Sequence, residues 1–140
     1  MRYVLDSAIA LRWILPEEDA AQAVALRQKL WSGRDELFAP DVFPVEVAHS
    51  LTRAERQQRI PIGQAKVFLA YILAAPPIFH ASLPLLDRAL EISSQHRIGV
   101  YDCLYVALAE QLNCDLITCD ERLISNLQPL GFPVISLTTV

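Results

Sequence analysis

Short β-prone runs alternate with longer helical stretches along the whole chain, and nothing else in the sequence constrains its fold as strongly. The apolar run Arg2-Tyr3-Val4-Leu5 stops at Asp6. Residues 36–39 form a second run closed by Pro40, and residues 78–80 a third, introduced by Pro76-Pro77. Asp115 leads Leu116-Ile117-Thr118, and residues 133–136 come last. Strands alternating with helices imply βαβ units, hence an α/β fold with a parallel sheet and helices on both faces. In such open sheets, binding sites form beyond the carboxyl ends of the strands.

The helical stretches carry their own punctuation. Ile9, Leu11, Trp13 and Ile14 precede Pro16, and Glu17, Glu18 and Asp19 crowd the next helix start, where negative charge suits the dipole. Residues 20–31 place Ala23, Leu26 and Leu30 at helical spacing, and Ser32-Gly33 ends the run. Asp41 is expected to cap a long helix with Pro44 in its first turn, Val45, Ala48, Leu51 and Thr52 along one face, and Pro61 at its end. Helices are also expected over residues 62–73, over 83–94 with Leu86 and Leu90 in register, over 101–112, and from Asp120 to about Leu127. No repeat, low-complexity tract or linker interrupts the pattern, so residues 1–140 read as one domain.

Composition narrows the function. The chain is 53% apolar and 20% charged, enough to build a core and too apolar for disorder. Twelve Lys and Arg against 16 Asp and Glu give a net charge of −4, which excludes a basic nucleic-acid coat but not a local basic groove. The longest clean apolar run, residues 68–75, stops at Pro76-Pro77, whereas a spanning helix needs about 20 residues. Asp6 and Arg12 interrupt the N-terminus too early for an export signal. Cys103, Cys114 and Cys119 are odd in number, form no Cys-x-x-Cys, and stand far in spacing from His49, His80 and His96. They read as reduced thiols of a cytoplasmic protein, without a disulfide or a zinc site.

Four acids stand out. Asp6 and Asp120 follow strands, while Glu46 and Asp102 sit in early turns of helices that follow loops, and all four are embedded in apolar sequence. Carboxylates are rarely buried without partners. Acids that share a site resist ionising together, and a divalent cation resolves the conflict. Oxygen-only ligands favour Mg²⁺ or Mn²⁺ over zinc. Each acid taken singly also has an ordinary reading: Asp102 as a helix cap, Glu46 as a surface residue. Asp115 reads as a turn residue before its strand and Glu121 as solvent-facing.

The order Asp6, Glu46, Asp102, Asp120 resembles the PIN-domain family, and in detail the VapC-type toxins of toxin–antitoxin pairs. The matching segments are Tyr3-Val-Leu-Asp-Ser-Ala and Pro40-Asp-Val-Phe-Pro-Val-Glu-Val-Ala-His-Ser-Leu. Tyr101-Asp-Cys-Leu-Tyr-Val-Ala-Leu-Ala-Glu and Leu116-Ile-Thr-Cys-Asp-Glu-Arg-Leu complete the set. Each is short, and their order across the whole chain carries the resemblance. It implies a three-layer α/β/α sandwich with a central, mainly parallel sheet of four to five strands, the first and fourth side by side. It further implies a ribonuclease whose acidic quartet, Asp6, Glu46, Asp102 and Asp120, holds one or two Mg²⁺ or Mn²⁺. Asp6, Asp102 and Asp120 would bind metal, and Glu46 would bind metal or orient the attacking water. Ser7 and Thr118 match small polar positions of the family, as water-positioning groups or as caps. His49 stands where many relatives carry Asn, and would contact phosphate or pack beside the site.

Without the quartet, 12 acids balance 12 basic residues, so local arginines must hold RNA. Arg53, Arg56 and Arg59, at i, i+3 and i+6 after Glu46, make a phosphate track or a solvated face. Arg12 is a further candidate. The resemblance also implies an antitoxin partner bound near the acidic groove, and a homodimer, for which residues 62–73 with Val67, Phe68 and Tyr71 offer a surface. A haloacid-dehalogenase-type phosphatase needs a second Asp where Ala8 stands, and a receiver domain needs paired acids and a late Lys that are missing. A silent PIN-fold binding module and an RNA-processing nuclease outside a toxin–antitoxin pair are the alternatives.

Overall fold

In the computed structural model, residues 1–15 and 20–140 are described; the helix start expected at Glu17, Glu18 and Asp19 lies outside them. Five strands form one parallel sheet: β1 (Arg2–Leu5), β2 (Glu36–Pro40), β3 (Ile78–His80), β4 (Asp115–Thr118) and β5 (Val134–Ser136). Their order is β3-β2-β1-β4-β5. The first and fourth strands are therefore neighbours, with Leu5 opposite Ile117. Val4, Leu5, Leu116 and Ile117 are fully buried, as consecutive residues must be when both faces of a parallel sheet are covered.

The helices among the described residues are α1 (Ser7–Leu11), α2 (Ala20–Trp31), α3 (Phe43–Arg56), α4 (Gln64–Leu73), α5 (Leu86–His96), α6 (Val100–Leu112) and α7 (Glu121–Leu127). Helix α6 packs against β1, β2 and β4, with α5 beside it, while α1 packs on α3 and α3 on α4. The result is the three-layer α/β/α sandwich. Seven consecutive residues of α6, Cys103 to Ala109, are buried, which makes it the most enclosed helix of the core among those described.

Helix α3 differs from expectation in three ways. Its buried face is Phe43, Val47, Leu51 and Ala54, while Val45 is 71% exposed. Asp41 does not cap it: the Asp41 carboxylate accepts hydrogen bonds from the Ser82 backbone N–H and hydroxyl instead. The helix stops at Arg56, ahead of Pro61, because the chain turns through a left-handed Gln58 (φ 60°). The Glu55 carboxylate then accepts from the N–H groups of Gly63 and Ala65, satisfying the start of α4 from outside. Gly63 (φ 93°) supplies a turn that an L side chain would strain. In α5 the buried residues are Ala89 and Ile92, and Leu90 faces outward.

Candidate active site

The strand order reverses between β1 and β4: β2 and β3 lie on one side of β1, and β5 on the far side of β4. A crevice opens at the carboxyl ends of strands at such a reversal. Asp6, directly after β1, is held there by its backbone N–H, which donates to the Ile117 carbonyl of β4 (3.1 Å). The Thr118 hydroxyl donates to Asp6 Oδ2 at 2.6 Å and accepts from the Asp120 N–H at 3.1 Å. Thr118 is wholly buried, and its hydroxyl makes both a local, cap-like bond at the start of α7 and a long-range bond to Asp6. It ties the first acid to the last across the strand pair.

Asp6 also caps α1, with Oδ1 accepting from the Ala8 N–H (3.3 Å). Asp120 caps α7, with Oδ1 accepting from the N–H groups of Arg122 and Leu123. Each cap uses one oxygen: the second oxygen of Asp6 accepts from Thr118, and the second oxygen of Asp120 takes no part in its cap. Asp102 makes no cap bond; it sits in the first turn of α6 behind Gly99. Glu46 sits in the first turn of α3, and its Oε1 accepts from the Tyr105 hydroxyl at 2.6 Å. Ser7 lies beside the same phenol, close enough to oppose the rise in its pKa that burial and Glu46 cause.

The four carboxylates are electrostatically coupled. Burial pushes Asp6 above the usual carboxylate range, Asp120 adds to this, and the Thr118 and Ala8 hydrogen bonds and the Arg12 charge oppose it. Burial also raises Glu46, against the Tyr105 hydrogen bond, and Asp6 raises it further. Asp102 is pushed up to about 6, first by burial and then by Asp6, Asp120 and Glu46. Like charges from four separate segments thus act on one another through one small volume.

Two clefts flank this volume. One, of about 380 Å³, is lined by Asp102 and Asp120 with Arg97, Arg122 and Asn126. The other, of about 830 Å³, is lined by Glu46 with Ser7, His49 and Tyr101. His49 is exposed at the rim of this second cleft, one turn from Glu46. Arg12 lies close enough to lower the Asp6 pKa, and its guanidinium donates to the Ala8 carbonyl (3.4 Å). Arg53 and Arg56 lie at the far end of α3, about 10 Å or more along the axis from Glu46, and Arg59 lies beyond the helix altogether. The expected arginine track therefore runs away from the acids.

The donor set suits a hard divalent cation: oxygen atoms only, and acids whose ionisation an ion would favour. As they lie, no three His, Cys, Asp or Glu side chains among the described residues close tightly enough to hold one.

Tyr105, Arg97 and Arg122 escaped the sequence reading. Tyr105 has a recoverable signal: it stands three residues after Asp102, on the same side of one helix.

A PIN-domain family model matches residues 3–127, a span that contains all four acids and every segment positioning them. The chain belongs to the PIN-domain family. Relatives named as VapC ribonucleases place it with the VapC-type PIN domains. Ribonuclease VapC12 of Mycobacterium tuberculosis is 35% identical over 120 residues, covering 86% of this chain and 88% of that protein. Ribonuclease VapC3 of Pyrobaculum aerophilum is 29% identical over 136 residues, covering 95% of this chain and 100% of that protein. Among solved structures, PAE2754 from Pyrobaculum aerophilum superposes with a TM-score of 0.74 at 19% identity, covering 99% of this PIN domain and 85% of that chain. VapBC2 from Rickettsia felis, solved bound to a promoter DNA fragment, superposes with a TM-score of 0.68 at 14% identity, covering 97% and 98%.

Proposed function

We propose that this PIN domain is an endoribonuclease that hydrolyses RNA phosphodiester bonds with Mg²⁺ or Mn²⁺, and that it is the toxin of a toxin–antitoxin pair. The observation that carries the reading is the coupling of Asp6, Glu46, Asp102 and Asp120 at the strand-order reversal. The relatives named as ribonucleases support the substrate class. The structural likeness to VapBC2, and to a toxin–antitoxin complex from Klebsiella pneumoniae, supports an antitoxin partner.

Asp6, Asp102 and Asp120 are the proposed cation ligands, with Glu46 as a fourth ligand or as the group that orients the attacking water. One or two divalent ions held there would lower the pKa of water and neutralise charge on the attacked phosphate. Thr118 keeps Asp6 facing the crevice, and Tyr105 fixes the Glu46 carboxylate by occupying one oxygen. Residues 1–140 act as one unit. Among the described residues no helix is long and apolar enough to cross a membrane. The thiols of Cys103, Cys114 and Cys119 support a cytoplasmic protein. Ile62, Val67 and Tyr71 are exposed on and beside α4, which supports a homodimer through this side.

Cation binding is testable without substrate. Mn²⁺ added to the metal-free protein at pH 7.5 should raise its melting temperature by several degrees, because an ion that binds the folded chain stabilises it by mass action. A melting temperature indifferent to millimolar Mn²⁺ and Mg²⁺ would contradict the assignment.

A further inference from the structure

Arg97 and Arg122 share the smaller cleft with Asp102 and Asp120, yet neither forms an ion pair among the described residues. They come from different elements. Arg97 is the residue that closes α5, and Arg122 lies in the first turn of α7, where the Asp120 cap holds its backbone. Both side chains are exposed. Two guanidinium groups beside two carboxylates would ordinarily pair with them. Here no such pair forms among the described residues, and both guanidinium groups are left for a ligand in the cleft.

Arg97 also occupies a backbone position unsuited to it. Its φ is 55°, left-handed, where helices most often place Gly, and where α6 places Asn113 (φ 52°). The turn does not need the Arg side chain. The Arg97 N–H donates to the Ser93 carbonyl, and the Ser93 hydroxyl donates to the Ile98 carbonyl. The backbone is closed by its own groups, and the guanidinium contributes no contact to it.

We infer that Arg97 and Arg122 are the phosphate grip of this PIN domain, holding the RNA backbone on the Asp102–Asp120 side of the scissile bond. The inference rests on the ribonuclease reading above. Guanidinium forks match phosphate oxygens in a planar, bidentate geometry. Asn126, one turn along α7 from Arg122, faces the same cleft with an amide that can donate to and accept from a sugar hydroxyl or a base edge. The larger cleft, with Ser7, His49 and Tyr101, has no arginine among the described residues that line it, so the two sides of the acids differ in charge. RNA would therefore lie across the site with a fixed polarity. The track expected at Arg53, Arg56 and Arg59 is replaced by a pair from α5 and α7.

The test uses Arg97→Gly and Arg122→Gln, singly and together, on the full chain. Initial rates on a single-stranded RNA in Mn²⁺ give kcat and KM. Anisotropy of the labelled RNA in EDTA, over a series of salt concentrations, gives affinity and its salt slope. Each substitution is expected to raise KM by about tenfold, the contribution of a charge-assisted contact, and to leave kcat within about twofold. The slope of log K against log salt should fall by about 0.7 per arginine removed. Arg122→Lys should restore most of the slope and part of the affinity. Arg97→Gly should melt at or above the wild-type temperature, since glycine suits the left-handed turn. A purely structural arginine would instead lower the melting temperature and leave the salt slope unchanged. If the wild type cleaves RNA and the double variant binds it with unchanged affinity and slope, the grip is refuted while the ribonuclease reading stands. If the wild type neither binds nor cleaves RNA, the ribonuclease reading fails and the grip falls with it.

Discussion

Asp102→Asn should reduce RNA cleavage by at least about 10³-fold while leaving the protein folded and somewhat more stable. The loss follows from removing one anionic ligand from a site whose proposed chemistry depends on a divalent cation, worth several kcal/mol at the transition state. The gain in stability follows from the same electrostatics. Asp102 is pushed up to about 6 by burial and by Asp6, Asp120 and Glu46. A carboxyl whose folded pKa lies above its unfolded value is easier to protonate in the folded chain. It supports folding below about pH 4 and withdraws that support as pH rises through about 6. At pH 7.5 and without metal, the ionised Asp102 therefore opposes folding. Asparagine keeps the shape and removes the charge, for a gain on the order of 1 kcal/mol once solvent screening is counted. Urea denaturation at pH 7.5 and pH 4.5 checks the sign: the advantage of the variant should be present at the higher pH and shrink at the lower. A variant less stable than wild type at both pH values would mean that Asp102 is a structural acid.

Phe43→Ala should cost about 3–5 kcal/mol, a large share of the roughly 5–15 kcal/mol that holds such a domain together. Phe43 is fully buried at the first position of α3, with its ring 5.9 Å from that of Phe79 beside the sheet. It is the anchor that sets where α3 leaves the sheet, and Glu46 follows it by one turn. Truncation leaves a cavity between helix and strand, and the surroundings collapse only in part. The expected result is a melting temperature lower by about 10 °C or more, with Mn²⁺ recovering only part of the loss. Val45→Ala is the matched control. Val45 is largely solvent-exposed on the same helix, and its loss should change stability by no more than about 0.5 kcal/mol. Equal costs at the two positions would mean that α3 is rotated from the orientation described.

The alternation of elements was readable because it depends on local chemistry. Asp6 and Pro40 end apolar runs, Pro76-Pro77 introduces one, and Gly33 follows α2 as a stop. The four acids were readable because each interrupts an apolar segment at an element boundary. What remained hidden depends on contacts distant in sequence. Asp41 reads as a cap, but its carboxylate is claimed by Ser82, 41 residues later. Thr118 reads as a water-positioning group or a cap, and only the fold brings its hydroxyl to Asp6, 112 residues away. Tyr105 passes for an apolar position inside a buried helix, and only the fold brings Glu46 to its hydroxyl. The face of α3 went astray because residues 45, 48 and 52 satisfy helical spacing as well as 43, 47, 51 and 54 do; the sheet decides between them. Arg59 followed Arg53 and Arg56 in spacing, but the left-handed Gln58 ends the helix first.

The most direct measurement is cleavage of a mixed single-stranded RNA pool by the purified chain in Mn²⁺, with EDTA and Asp102→Asn run beside it. Cut RNA in Mn²⁺, and intact RNA in both controls, is the predicted result. Cleavage that persists equally in EDTA and with Asp102→Asn, at matched purity, would contradict the proposal that the coupled acids at the β1–β4 crevice are the cation-dependent centre of this PIN domain.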